Sequence, residues 1–331
     1  MLRKRIAMSC AVVLVAVVLM GTAWGASITL RLSTNHTEDF VTSKAIQFFA
    51  DRVKERTNGE IEVECYYNAV LGEEKAAAEQ TQFGAIDLLR ISVSPMSEFV
   101  EEFNAIQLPF IYASADHYWK ALDDPEIGLK LLRSQKAKDA GFYGLCYYDG
   151  GARSFFFRDK LVRTPADMKN LTIRVQESSL MIGLIRILGA NPTAMPSSDV
   201  YGALQTGVIN GAENNLPFYL SQSYPEVAPM ITLNEHTRVP DSLFMSMMTV
   251  NKLTPEQVRI IEECAMESSH FQRKAWAEDE IVARNRCLEL GCTITELTPE
   301  EKKQFMDMVK PLNAKEGAAY TAILDAIAGL L

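Results

Sequence analysis

Histidine and tryptophan are scarce in this chain, with four and three copies in 331 residues. The motifs that mark most catalytic and nucleotide-binding proteins are absent. No HExxH, P-loop or GxGxxG pattern occurs, so zinc-protease chemistry, nucleotide hydrolysis and dinucleotide binding are not indicated. No GxSxG elbow offers a serine nucleophile, and only His36, His117, His236 and His270 are available as imidazole bases. Six cysteines include no CxxC pair, which argues against a zinc cluster. No metal and no cofactor is expected. Basic residues are outnumbered, 33 Lys and Arg against 42 Asp and Glu. Such an acidic chain repels nucleic acid and anionic lipid, so neither is expected as a partner. Carboxylates are abundant enough to supply a glycosidase pair, whose separation a sequence does not reveal.

The one long apolar run lies at the start. Arg3, Lys4 and Arg5 precede an apolar core from Cys10 to Met20, followed by small residues at Ala23 and Gly25, which together read as a secretory signal over residues 1–26. That core is shorter than the roughly 20 apolar residues needed to span a bilayer. Cys10 precedes the core, whereas a lipid-attachment cysteine would follow one. No later stretch is long enough to span, so the mature chain is not expected to insert in a membrane. Cleavage would remove three basic and no acidic residues and take the formal charge from −9 to −12. Five cysteines would remain, Cys65, Cys146, Cys264, Cys287 and Cys292. Cys287 and Cys292 flank a Leu-Gly turn, but buried free thiols are the plainer expectation.

About 305 mature residues exceed one core, so two lobes are expected. Strand and helix patterns alternate, which predicts α/β lobes with largely parallel sheets. Ile28–Thr34 alternates as a strand, Ser43–Thr57 carries helical apolar spacing, and the Ile61 segment returns as a strand. A helix from Glu73 to Phe83 leads into a strand over IDLLRISV. Further strands are predicted at GFYGLCYYD, ARSFFFR, LTIRVQ and VINGAENN, with helices from Ser179 to Leu188 and from Asp199 to Gln205. Thr254-Pro-Glu-Gln257 and Thr298-Pro-Glu-Glu301 are capping boxes with proline at the first helical position. From Pro255 the pattern runs to about Leu290 without a breaker, on the order of 50 Å, longer than one lobe is wide.

Two arginines stand inside apolar, strand-like segments, Arg153 in ARSFFF and Arg174 in LTIRVQ. A buried guanidinium must be paired, either with an internal carboxylate or with the carboxylate of a ligand held in a two-bond fork. Glu213, Asn214 and Asn215 follow a short apolar strand, at the end where open α/β sheets place their ligand crevices. Tyr66, Tyr67, Phe155 to Phe157, Phe218 and Tyr219 are expected in the core.

The block RTPADMKNLTIRVQ, followed by LGANPTAMPSSDVYGALQTGVINGAENN, resembles the solute-binding proteins of tripartite ATP-independent periplasmic (TRAP) transporters of the DctP type. LGEEKAAAEQTQFGAIDL and LPFIYASADHYWKAL fit the same family, and the likeness extends from Ile28 to the C-terminal helices. It implies a two-lobed, type II-like periplasmic binding fold with a long helix spanning both lobes. The implied partition is lobe I over residues 27–150, lobe II over 151–239, a return to lobe I over 240–278, and lobe II with the C-terminal helices over 279–331. It implies no enzymatic activity, a periplasmic location, an organic-acid ligand and a membrane permease as partner. Arg174 matches the family's carboxylate-bridging arginine, Arg153 a second arginine that assists, and Asn214 the asparagine of an ENP-like turn, with Asn215 standing where that turn has proline. STNH, YYDGGARSFF and NEHTRVPDS resemble the sugar-acid binders, which brings Asn35, His36, Glu74, Arg90, Ser92, Asp149, Gln176, His236 and Asp241 near the cleft. PSSDVY departs from the WGEVY of that subgroup. A hexuronate such as glucuronate or galacturonate is the first expectation; a dicarboxylate, a keto acid, or a periplasmic enzyme acting on sugar acids are the alternatives.

Overall fold

The computed structural model describes residues 28–331. The export segment expected over residues 1–26 lies outside the described residues. The described residues form eleven strands: β1 (Ile28–Ser33), β2 (Ile61–Tyr66), β3 (Leu88–Ser92), β4 (Phe142–Tyr148), β5 (Ala152–Phe157), β6 (Thr172–Val175), β7 (Asn191–Ala194), β8 (Gly211–Asn214), β9 (Met230–Arg238), β10 (Asp241–Ser246) and β11 (Thr293–Glu296). They form a five-stranded sheet in the order β2-β1-β3-β10-β4 and a six-stranded sheet in the order β11-β9-β5-β8-β6-β7.

The sheets are mixed, where the alternation of elements predicts largely parallel ones. In each, one strand runs against the rest. β10 is antiparallel to β3 and β4, and β5 is antiparallel to β8 and β9. The reason is the path of the chain between sheets. β4 leads to β5 and β9 leads to β10 through a few residues only, far too few for the helical crossover that a parallel return needs. The chain therefore leaves one sheet at its inner edge and starts the other at the facing edge, running outward.

These two crossings touch. A Cβ built on Gly150 would lie 2.2 Å from the carbonyl oxygen of Val239, and Gly151 takes a left-handed φ of +62° beside Trp276. Only glycine fits the first position without moving the neighbouring strand. Asp149 seals the junction: its Oδ1 accepts from Gly151 N at 2.8 Å and its Oδ2 from Trp119 Nε1 at 2.9 Å.

Helices cover both faces of each sheet, so consecutive strand residues are apolar. In β5, Phe155 and Phe157 enter a core that runs through both sheets, while Phe156 points to the opposite face. The helices that bear on the site are α1 (Val41–Arg56), α2 (Glu74–Gln82), α3 (Ser179–Ile187), α4 (Val200–Thr206), α5 (Leu216–Ser221), α6 (Pro255–Glu289) and α7 (Pro299–Gly317). Both predicted capping boxes form, Thr254 with Gln257 and Thr298 with Glu301. At 35 residues, α6 is about 50 Å long. Its first half packs Ile261, Cys264 and Ala265 on the five-stranded sheet, and its second half packs Trp276 and Cys287 against the six-stranded one. Midway, the buried Gln272 accepts from Asp149 N at 2.8 Å and donates to Asp149 O at 2.9 Å, pinning the first crossing to the helix. All five described cysteines are unpaired, four of them buried.

Adding a methyl at Gly150 must push the crossings apart. We expect Gly150→Ala to cost about 1–3 kcal/mol, read as a lower midpoint in urea unfolding. Gly202→Ala, in α4 where a Cβ meets open space, should be neutral or stabilising by up to about 1 kcal/mol. Equal midpoints for the two variants would contradict this account of the junction.

Candidate functional site

The inner edges of the two sheets face each other across a narrow cleft with about 30 Å³ of free volume. The parallel strands β1, β3, β6 and β8 present their carboxyl ends to it, where open α/β sheets expose loops and free backbone groups. The reversed strands β5 and β10 present their amino ends. That arrangement brings Asn35, His36, Arg90, Ser92, Arg153, Arg174, Gln176, Asn214 and Asp241 onto its walls, with Glu74 from the start of α2.

Arg174 is the exceptional group. Its residue is only 4% exposed, yet no carboxylate among the described residues forms an ion pair with it. Nε and Nη2 both donate to the carbonyl of Met195, at 3.0 and 2.7 Å, which fixes the plane of the guanidinium. Nη1 has no hydrogen bond to a described residue. Burial pulls the Arg174 pKa below its ordinary value, partly offset by nearby Tyr224 and Glu213. The group stays cationic at neutral pH, because a guanidinium is too strong a base to lose its proton there.

Arg153 is held differently. Nε pairs with Glu213 Oε2, Nη2 donates to Glu213 Oε1 at 2.9 Å and to its carbonyl at 2.9 Å, and Nη1 donates to Asn214 Oδ1 at 3.0 Å. Burial disfavours the Glu213 carboxylate, but Arg153 and the adjacent His236 overcome that and hold its pKa at about 2. Of the two pairings open to a buried arginine, Arg153 has the internal one and Arg174 lacks it.

A third guanidinium, Arg90, lies among acceptors. Nη1 donates to Asn35 Oδ1 at 2.8 Å and Glu74 Oε1 at 2.9 Å, and Nη2 pairs with Asp241 Oδ1. Glu74 Oε1 also accepts from Ser92 N at 2.8 Å. Burial raises the pKa values of Glu74 and Asp241, with Arg90 opposing the rise. His36 stands nearby, its ring 4.3 Å edge-on from Phe40 and 5.6 Å from Phe218. Burial, and then the charge of Arg90, push the His36 pKa well down, so the ring is neutral.

Two residues expected near the cleft do not line it. Asp149 is occupied by the crossing described above. His236 is fully buried behind the wall because β9 bulges there: Arg153 pairs with Thr237, but Phe155 pairs with Thr232. The loop this creates places Glu235 at a φ of +48°. It stacks His236 on Phe155 at 4.5 Å, with Nε2 3.5 Å from Glu213 Oε2. His236 thus backs Glu213, which in turn holds Arg153. Asn215 has a definite role in place of proline. Its Oδ1 accepts from Phe218 N at 2.7 Å, capping α5, and its Nδ2 donates to the carbonyl of Gly150 at 2.9 Å.

The sequence reading leaves out Phe40, Ser197, Val239 and Trp276, and assigns Phe218 to the core; all five line the cleft. Nothing in their local pattern separates them from core residues. The cleft mouth is bridged at three points. Glu98 accepts from Ser179 N at 2.7 Å and Oγ at 3.1 Å, at the start of α3. Glu73 accepts from Ser198 N at 3.3 Å. Asn35 Nδ2 donates to Ser197 Oγ at 3.1 Å.

His236 supplies a pH prediction. Burial lowers its pKa despite the pull of Glu213, so unfolding lets it take up a proton below about pH 6.5. Its contribution to stability is fully present above that value and is lost as pH falls through it. Glu74 and Asp241, with raised pKa values, act in the opposite sense, so the comparison needs a variant. The melting-temperature advantage of the native chain over His236→Gln should shrink between pH 7.5 and 5.5. An advantage constant across that range would refute the assignment.

The model of the DctP family, bacterial extracellular solute-binding protein family 7, matches residues 32–318. A solute-binding protein of Chromohalobacter salexigens is 34% identical over 277 residues, which cover 84% of this chain and 81% of that protein. A TRAP periplasmic solute-binding protein of Bradyrhizobium sp. BTAi1, solved with galacturonate, is 35% identical with a TM-score of 0.87 and covers 90% of this chain and 99% of its own. Another, from Pseudomonas putida F1 with bound D-glucuronate, is 32% identical with a TM-score of 0.87 and covers 91% of this chain and 96% of its own. Among the described residues, no helix is long and apolar enough to cross a membrane. Two mixed sheets facing across one cleft and a match over nearly the whole described chain lead to the same statement: this protein belongs to the DctP family of TRAP solute-binding proteins.

Proposed function

We propose that this chain captures a hexuronate in the periplasm and presents it to a TRAP membrane permease. The observation that carries the proposal is the buried Arg174 guanidinium without a protein carboxylate. A uronate carboxylate would supply the missing charge through a planar two-bond contact. Arg153 and Asn214, locked to each other and to Glu213, would form the adjacent wall. Asn35, His36, Glu74, Arg90, Ser92, Gln176 and Asp241 would meet the hydroxyls, while Asp149 and His236 act from behind the cleft. Gln176 Oε1, buried without a partner, is an acceptor suited to a hydroxyl. Phe40, Phe218 and Trp276 give the ring an apolar face. The uronates bound in the solved relatives named above support the same ligand class.

In this reading lobe I comprises residues 28–150 and 240–278, and lobe II residues 151–239 and 279–331. Closure brings Arg174, from one lobe, against hydroxyls held by the other. The ligand then excludes water from contacts worth about 1.5–3 kcal/mol each when charge-assisted. Micromolar binding needs about 8 kcal/mol in total. The closed, loaded form is the one a permease would recognise, since ligand and partner both favour it over the open form.

Calorimetry with D-glucuronate, D-galacturonate, succinate and a branched keto acid tests the ligand class. A uronate should bind tightest, without turnover. Arg174→Ala should weaken it by about 100-fold or more, the loss of two charge-assisted bonds. Arg174→Lys should weaken it by at least about tenfold, because an ammonium cannot reproduce the fork. Unchanged affinity in Arg174→Ala would overturn the anchoring role.

A further inference from the structure

The three guanidiniums of the cleft are not equivalent, and the difference bears on which acids are refused. Arg174 is one positive charge with no carboxylate beside it. Arg90 is one positive charge between two carboxylates, Glu74 through Nη1 at 2.9 Å and Asp241 through Nη2. The Arg90 end therefore carries an excess of acceptors, although an arginine there looks like a second anion site. Three of its five N–H donors are already taken. Nη1 already serves Asn35 and Glu74, and Nη2 serves Asp241; Nε is buried and has no partner. No hydrogen bond from a described residue falls on Glu74 Oε2 or on Asp241 Oδ2.

Two free N–H donors, on Nε and Nη2, beside two free carboxylate oxygens suit a particular chemistry. A hydroxyl can accept from Arg90 Nε and donate to Glu74 or Asp241 in the same position, whereas a carboxylate only accepts. A carboxylate placed there would set its oxygens against those of Glu74 and Asp241. Both of those groups already sit in surroundings that disfavour negative charge, as their raised pKa values indicate.

We infer that Glu74, Arg90 and Asp241 form a charge filter, which accepts the hydroxyl end of a monoanionic sugar acid and rejects a sugar acid carrying carboxylates at both ends. This rests on the uronate reading, with the single ligand carboxylate at Arg174. It names Glu74 and Asp241 as specificity determinants. Arg90 serves as the clamp that holds the two acids in place.

The test compares D-galacturonate with galactarate, the diacid of the same carbon skeleton, and with galactonate, an open-chain monoanion that controls for loss of the ring. Like charges about 5 Å apart in a site of intermediate polarity repel enough to cost on the order of 100-fold in affinity. Galactarate should therefore bind the native protein about 100-fold more weakly than galacturonate, and more weakly than galactonate. In Asp241→Asn and in Glu74→Gln, each checked for folding by circular dichroism, the ratio of galactarate to galactonate affinity should rise at least about fivefold, as expected when one like charge is removed. The comparison of ligands on the native protein stands even if both variants fail to fold. Galactarate binding as tightly as galacturonate would overturn the filter and leave the uronate reading intact. So would a ratio unmoved in two folded variants. Failure of both galacturonate and glucuronate to bind would overturn the uronate reading, and the filter with it.

Discussion

A cation buried without its counter-charge is costly, and Arg174 is such a cation. An unpaired buried ion destabilises a fold by several kcal/mol unless local dipoles or a partner compensate. Here the Met195 carbonyl takes two of its donors, which orients the group but leaves its charge uncancelled. The neighbouring Arg153 shows what full compensation looks like, with a carboxylate, a carbonyl and an amide around one guanidinium. The contrast divides the cleft into a satisfied wall and an unsatisfied one. In the proposed reading, a solute with one carboxylate would complete the second without disturbing the first.

The topology makes that division possible. Because β5 and β10 run against their neighbours, residues near their starts, Arg153 and Asp241, share an edge with residues at the ends of β3, β6 and β8. Polar or charged groups at the ends of six strands, β1, β3, β5, β6, β8 and β10, converge without any of them sitting on a long loop. Their supports are equally rigid: Glu213 is braced by His236, Asn214 by Arg153, and Asn215 by the start of α5. Side chains held this way lose little freedom when a ligand arrives, which lowers the cost of binding.

Much of this was readable in the amino-acid order, and the rest failed for physical reasons. The helices and strands follow from periodicity, and both Thr-Pro-Glu boxes mark helix starts correctly because capping is local. Arginines among β-branched and aromatic neighbours signal a functional interior, yet sequence does not say which of the two is already paired. That depends on Glu213 meeting Arg153 across β5 and β8, 60 positions apart. Alternating elements predict the common direction of most strands, but not the one reversed strand in each sheet, because the two direct passages between sheets leave no periodic trace. Phe40 and Trp276 escaped notice since an aromatic on a cleft wall is patterned like one in a core. The sequence neighbours of His236 and Asp149 point them toward the cleft, whereas a bulge and a glycine junction turn them away from it.

The contact of Gly150 with Val239 also governs how far different parts of the molecule can travel. Two strands that lie against each other act as a single pivot, and displacement grows with distance from a pivot. Floor groups such as Asn215, bonded directly to Gly150, would move little if the lobes swing as proposed. The exposed bond between Glu98 and Ser179, which joins the lobes away from that junction, is one that such an opening would have to break. In that reading the binding surface is pre-assembled at its base, and admission and release fall to the lip.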